Sequence, residues 1–167
     1  MTSLYKTPDG FDDLYINAQD EYLTGVWFQN SKDEKKHSIS EEIESQIIQE
    51  TKRWLDLYFS GVHPDFMPKV KINNLTSFRK EVLDLLVQIP YGQVVTYNDI
   101  AKQIANNRGI EKMSAQAVGQ AVGWNPIGIL IPCHRVIATD KSITGYGGGI
   151  QNKIKLLELE GYTDFRR

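Results

Sequence analysis

The sequence predicts an α+β protein whose first half is α/β and whose second half is mostly helical. Three observations carry that reading. Two short β-rich runs, Leu14–Ala18 and Leu23–Phe28, lie close together near the start. Apolar residues at helical spacing dominate the second half. Between them "HPDFMPK" and "NNLT" break both patterns and mark a boundary. Domains are therefore expected over residues 1–72 and 73–167.

The elements follow in order. "QDEY" separates the two runs and makes them a hairpin. A charged loop, "NSKDEKK", comes next. Ser38 with Glu41 reads as a capping box, and Ile43, Ile47, Trp54 and Tyr58 then recur at helical spacing as far as Gly61. "VKIN" is a further candidate strand. In the second half Phe78, Val82, Leu85, Leu86 and Ile89 form one apolar stripe, which Pro90 ends. "YGQVV" turns the chain. Thr96 caps a helix carrying Ile100, Ala101, Ile104 and Ala105. After the connector "NNRGIEKM", Ser114 caps a second short helix. Two short helices joined by a polar loop with glycine are compatible with helix-turn-helix. The second is rich in small residues: Ala115, Ala117, Ala121, Gly119 and Gly123. A mid-helix glycine costs about 1 kcal/mol against alanine, so close approach of something is expected there, either a packed helix or DNA.

Composition bounds the function. At 41% hydrophobic and 24% charged, the 167 residues can bury a core. "MTSLYKTPDGFDD" lacks the apolar stretch of a signal peptide. No run approaches the roughly 18 apolar residues that span a bilayer. A cytoplasmic protein without a membrane partner is expected, and a free thiol fits that reducing compartment. The single cysteine cannot form an intramolecular disulfide, and with only His37, His63 and His134 beside it a zinc site is not expected. Charge is uneven: residues 1–90 hold 10 Lys and Arg against 15 Asp and Glu, net −5, and residues 91–167 hold 9 against 6, net +3. That asymmetry points to an anionic partner for the second half.

The chemistry centres on "ILIPCHRVIATD", where Cys133 and His134 are adjacent behind Pro132. A thiol of ordinary pKa, about 8.5, is only slightly ionised at neutral pH. Adjacent side chains diverge in both strand and helix, so His134 is expected to reach the thiol through a water rather than directly. A lone buried cysteine read without its neighbours is a small core residue. On a helical wheel from Ile150, Glu160 falls in the arc of Ile154 and Leu157, where a carboxylate needs a partner. His134 is one candidate, and Lys153 in the same arc is another. Asn125 before Pro126 either braces the turn into the motif or makes a plain Asn-Pro turn. "TGYGGGI" lacks the last glycine of a dinucleotide loop, because Ile150 stands there. A mobile loop or wing with Tyr146 at its tip, or a linker, remains.

"IPCHRV" (Ile131 to Val136) resembles the active-site motif of the O6-alkylguanine-DNA alkyltransferases, also called methylated-DNA–protein-cysteine methyltransferases. "IPYGQVVTY", "SAQAVGQAVGWNPIGILIPCHRV", "TGYGGGI" and "KLLELEG" resemble family signatures in family order, across most of residues 89–161. "LTGVWF" and the following helix resemble the N-terminal domain more weakly. The resemblance implies a ribonuclease H-like α/β domain followed by a mostly helical domain with a winged helix-turn-helix. It implies a suicide methyltransferase of DNA repair, in which Cys133 takes an alkyl group from O6 of guanine, and less well from O4 of thymine, in double-stranded DNA. His134 would act as base through a water, Glu160 would hold His134, and Asn125 would brace the turn. Tyr97 would help rotate the base and donate to it. Tyr146, Gly147 and Gly148 would close over the base, the Val136 backbone would meet its edge, and Lys153 would lie near the pocket. Thr96, Tyr97, Ser114, Ala115, Gln116, Ala117, Gly119 and Arg135 would face DNA.

Flipping the base first costs a few kcal/mol, least for a damaged pair. The thioether product has no carbonyl for water to attack, and no second cysteine exists for exchange, so one turnover per molecule, no cofactor and no metal are expected. A monomer is expected. Many family members carry arginine where this chain has Gln116, which predicts weaker, less salt-sensitive binding here. Three rivals differ in class. An alkyltransferase-like protein that flips and flags lesions without transfer would lack the cysteine. A winged-helix regulator switched by alkylation would carry a cysteine-rich N-terminal segment. A cysteine hydrolase would place its histidine in a distant segment.

Overall fold

The computed structural model describes residues 1–34, 44–143 and 145–166. Its first half is a three-stranded antiparallel sheet in the order β1 (Thr2–Tyr5), β2 (Leu14–Gln19), β3 (Tyr22–Phe28), packed against helix α1 (Gln46–Phe59). The hairpin of β2 and β3 is the one expected. Leu14, Ile16 and Ala18 alternate inward while Tyr15 and Asn17 are half-buried, the period of a strand with one covered face. β1 was not foreseen. "TSLY" shows no alternation, and its buried Thr2 and Ser3 are accommodated by hydrogen bonds to Asn17 Oδ1 and Glu44 Oε1, both 2.9 Å.

The expected capping box of Ser38 and Glu41, with Ile43, lies outside the described residues. The helix itself starts after Ser45, whose hydroxyl accepts from Ile48 N–H at 3.3 Å. It buries Ile47, Trp54 and Tyr58, as its spacing requires. "VKIN" forms no strand: Val70 makes a single bridge to Leu23.

The second half opens with α2 (Ser77–Leu86), which buries Val82, Leu83 and Leu86. The helix stops four residues before Pro90, and Ile89 is carried into the core by a turn, Ile89 N–H to Leu86 C=O, 3.1 Å. β4 (Val95–Thr96) leads into α3 (Tyr97–Arg108), which Thr96 and Asp99 start with a capping box and Gly109 ends at φ 66°. Ser114 caps α4 (Ala115–Trp124). α3 and α4 pack on each other and on α2, a helix-turn-helix arrangement. β5 (Val136–Ile137) pairs in parallel with β4, and α5 (Ile150–Leu159) closes the chain.

The halves are joined by backbone as well as by side chains. Val26 N–H donates to Pro126 C=O and Gly128 N–H to Val26 C=O, each 2.9 Å, so residues 126–128 run alongside β3. Among the described residues, no helix is long and apolar enough to cross a membrane.

Candidate active site

Cys133 begins a single 3₁₀ turn, Cys133–Arg135. Asn125 shapes the approach to it. Its side-chain amide donates to Ile131 C=O at 2.9 Å, and its carbonyl oxygen accepts from Ile127 N–H at 3.0 Å. This is the brace expected, spanning six residues rather than an Asn-Pro turn alone. Successive side chains of a 3₁₀ turn diverge by about 120°, so Cys133 and His134 face different ways. His134 points into the protein and Cys133 towards Tyr97 and Tyr146.

Behind the cysteine, His134 is fully buried and its Nε2 lies 2.6 Å from Glu160 Oε2. Glu160, the residue that ends α5, receives five donors: His134 Nε2, Tyr58 O–H at 2.6 Å, Arg135 Nε at 2.8 Å, Arg135 Nη2 at 3.1 Å and Gly92 N–H at 3.0 Å. Burial pushes its carboxyl upward, but the hydrogen bonds from His134 and Arg135 more than offset this and hold it below the usual carboxylate range. Burial also pushes His134 down, against the pull of Glu160. At neutral pH the site therefore holds a neutral imidazole against a carboxylate. The anion fixes the proton on Nε2 and leaves the lone pair on Nδ1. Among the described residues that buried Nδ1 has no hydrogen-bond partner.

The thiol side is closed. Cys133 is 7% exposed. Burial raises its pKa, and hydrogen bonds from Asn125 and Tyr146 and the charge of Lys153 oppose this while the Asp33 carboxylate adds to it. Tyr97, Val122, Gly123, Asn125, Tyr146 and Asp33 line the space in front of it, with a volume of about 10 Å³. That is about one water molecule, so a purine enters only if the wall moves. The wall is made possible by glycine. A Cβ at Gly147 would collide with the Asp33 carboxylate, and one at Gly148 would stand 2.6 Å from the Tyr146 ring. Asp33 N–H donates to Gly147 C=O at 3.2 Å, so the N-terminal half helps to hold this loop.

Two expectations change. Arg135 does not face DNA. Its side chain is 5% exposed, fully engaged by Glu160, and donates from Nη1 to Ile89 C=O at 2.8 Å. A guanidinium spent on a buried carboxylate has nothing left for a phosphate. Lys153 does not compete for Glu160. It is buried with Nζ 2.6 Å from Val136 C=O and over the Tyr146 ring, and burial pushes it down to about 8. Thr96, at the start of α3, and Ala115, Ala117 and Gly119, in the first half of α4, are half-buried, while Ser114 and Gln116 are exposed. Gly119 lies against Tyr97, while Gly123 faces open space. Sequence reasoning missed Tyr58 and Asp33, which reach the site from remote segments and belong to no motif, and gave no role to Tyr91 and Gly92, although both lie within "IPYGQVVTY".

Fold and site together define a two-part protein: a helix-turn-helix with a buried thiol behind it, backed by a histidine–carboxylate pair that an α/β half helps to close. Residues 77–162 match the 6-O-methylguanine DNA methyltransferase, DNA binding domain, and residues 1–72 match the ribonuclease-like domain of the same enzyme. The methylated-DNA–protein-cysteine methyltransferase of Haemophilus influenzae is 33% identical over 162 residues, covering 96% of this chain and 88% of that protein. The protein of that name from Methanosarcina acetivorans is 35% identical over 159 residues, covering 95% and 97%. The crystal structure of Mycobacterium tuberculosis OGT in complex with DNA superposes with a TM-score of 0.78 at 32% identity, covering 95% of this chain and 91% of that one. The chain belongs to the 6-O-methylguanine DNA methyltransferase family.

Proposed function

We propose that this chain is a methylated-DNA–protein-cysteine methyltransferase. It repairs DNA by moving an alkyl group from O6 of guanine, and less well from O4 of thymine, to Cys133. The observation that carries the reading is the pairing of one buried thiol with a neutral His134 anchored by Glu160, beside the last turn of α4. Two relatives bearing that activity's name, matched over nearly the whole chain, support it.

The mechanism follows from the protonation states. At rest the thiol is protonated and His134 neutral. Once a flipped base fills the pocket, the thiol proton passes through a water to His134 Nδ1. Glu160 stabilises the imidazolium and holds the ring in place. The sulfur lone pair forms the S–C bond as the C–O6 bond breaks. Its electrons leave on the guanine, which takes up one proton, so guanine and S-methylcysteine are the products. Tyr97, half-buried beside the thiol, rotates the base out and donates to it. Tyr146, Gly147 and Gly148 close over the base, the Val136 backbone meets its edge, and Lys153 keeps positive charge near the thiolate. Thr96, Ser114, Ala115, Gln116, Ala117 and Gly119 form the face towards double-stranded DNA. The thioether cannot be hydrolysed, so each molecule acts once, as a monomer in the reducing cytoplasm. The α/β domain is assigned to residues 1–72 and the DNA-binding domain to 73–167.

The deciding experiment is intact-protein mass after mixing with an oligonucleotide carrying one O6-methylguanine, with Cys133→Ser beside it. One methylene increment on the wild type alone, reaching a plateau at one per protein, is expected. DNA bound without any increment would instead make the chain a damage-binding module.

A further inference from the structure

We propose that Tyr58, from the N-terminal half, is a positioning residue for the reacting cysteine: its hydroxyl shares one oxygen of Glu160 with His134 and so sets how tightly His134 can hold a proton. The proposal rests on the function above only in naming the reaction that Tyr58 serves.

Tyr58 stands in the last turn of α1, fully buried and 102 residues away in sequence from the carboxylate it touches. A buried tyrosine needs an acceptor for its hydroxyl, and any core carbonyl would do. This one donates at 2.6 Å to Glu160 Oε2, the same atom that accepts from His134 Nε2 at 2.6 Å, and lies 3.4 Å from that nitrogen. Its ring stands edge-on to His134, with centroids 6.4 Å apart and planes at 76°. Arg135 Nη2 reaches Oε2 as well, at 3.1 Å. Three donors therefore compete for an oxygen with two lone pairs. Each donor that stabilises the anion lowers its basicity and weakens its pull on the imidazole proton.

The other groups around the pair are accounted for. Arg135 and Gly92 N–H serve Oε1, Tyr91 faces Arg135 and Tyr58, and His63 lies beyond Tyr91. Lys153 and Arg135 add positive charge that favours neutral His134. Of these, the Tyr58 hydroxyl is the donor that can be removed without altering charge or shape. Since α1 carries it, docking of the N-terminal half tunes the base that serves Cys133.

The test is Tyr58→Phe in the full chain. The ring nitrogens of His134, assigned by their loss in His134→Asn, are titrated by NMR without DNA. The pH profile of methyl transfer from the oligonucleotide is measured in parallel. With one donor gone, Glu160 pulls harder, and the His134 midpoint rises by about one to two pH units, the size of one hydrogen bond to a charged group. The acid limb of the transfer rate moves up with it. Placing 3-fluorotyrosine at residue 58 keeps the shape but strengthens the donor, and moves both midpoints down. A core role alone would lower the melting temperature and leave the titration in place. Unchanged His134 midpoints in both variants, or shifts of the same sign, overturn the proposal. If His134 shifts as expected but no methyl is transferred by the wild type, the role in setting His134 stands and the proposed reaction falls.

Discussion

Arg135 offers a sharp test of the site, because the family resemblance assigns it to DNA and the structure assigns it to Glu160. Consider Arg135→Met, which keeps much of the side-chain volume and removes the charge. Three hydrogen bonds are lost, two to Glu160 and one to Ile89 C=O. With side chains 5% and 0% exposed, water cannot replace them. Removing one partner of a buried ion pair costs about 3–5 kcal/mol, because the other charge is left uncompensated. For a chain of this size each kcal/mol moves the melting midpoint by about 2–4 °C, so a fall of about 6–20 °C is expected at pH 7. The sign with pH is also fixed. In the wild type the Glu160 carboxyl is held below the usual range, so it contributes stability above its unfolded pKa and loses it as pH falls through the folded value. The gap between wild type and variant should therefore narrow below about pH 4.3, where the unfolded carboxyl takes its proton. Thermal unfolding across pH, paired with DNA binding across salt, reads both possibilities. A phosphate-contacting arginine would take about 0.9 from the salt slope. A fall in slope of that size with an unchanged midpoint would refute the buried role.

Other outcomes follow from the same geometry. Asp33→Asn removes a carboxylate that adds to the effect of burial on the thiol, so the Cys133 thiolate should form at lower pH by its ultraviolet absorbance; an unmoved titration would mean that Asp33 is not felt. Gln116→Arg should tighten DNA binding and steepen its salt dependence by about 0.9 in slope; equal slopes would remove Gln116 from the interface. Lys153 is pushed from 10.5 to about 8, so between those values the unfolded chain binds more protons and stability rises with pH. Denaturant midpoints of Lys153→Met should lack that rise, and an identical slope would contradict the assignment. Methylated protein should melt lower than free protein by the equivalent of about 1–3 kcal/mol, because the space before the thiol is already filled; equal melting points would show that the pocket wall yields without strain.

Local features of the fold were legible in the sequence. The β2–β3 hairpin showed as alternation, and the caps at Thr96 and Ser114 as residue types ahead of apolar spacing. Even Glu160 could be singled out, since a helical wheel leaves it among apolar residues and asks for a partner. What could not be read was which remote residues complete the site. Tyr58 carries the same signal as Ile47 and Trp54, a place on the buried stripe of α1, and nothing local separates a packed ring from one whose hydroxyl meets Glu160. Arg135 was misread for a related reason. The resemblance of its motif placed this cation towards DNA, and nothing in the motif says that the end of α5 is brought back upon it. β1 failed for lack of period: its buried Thr2 and Ser3 look like loop residues until Asn17 and Glu44 are seen beside them.

The backbone bonds between Val26 and residues 126–128 set a limit on how this protein can be cut. They cap the outer side of β3, whose other neighbour is β2. Cleaved away from its second half, residues 1–72 would keep Leu23 paired with residues 69–71 but leave Val26 with open N–H and C=O groups, beside a row of apolar side chains from Val26 to Phe28. A bare sheet edge of that kind is a template for pairing with another copy of itself. The N-terminal half alone should therefore self-associate, and a solubility screen of truncated chains would find its usable fragments only on the other side of the boundary.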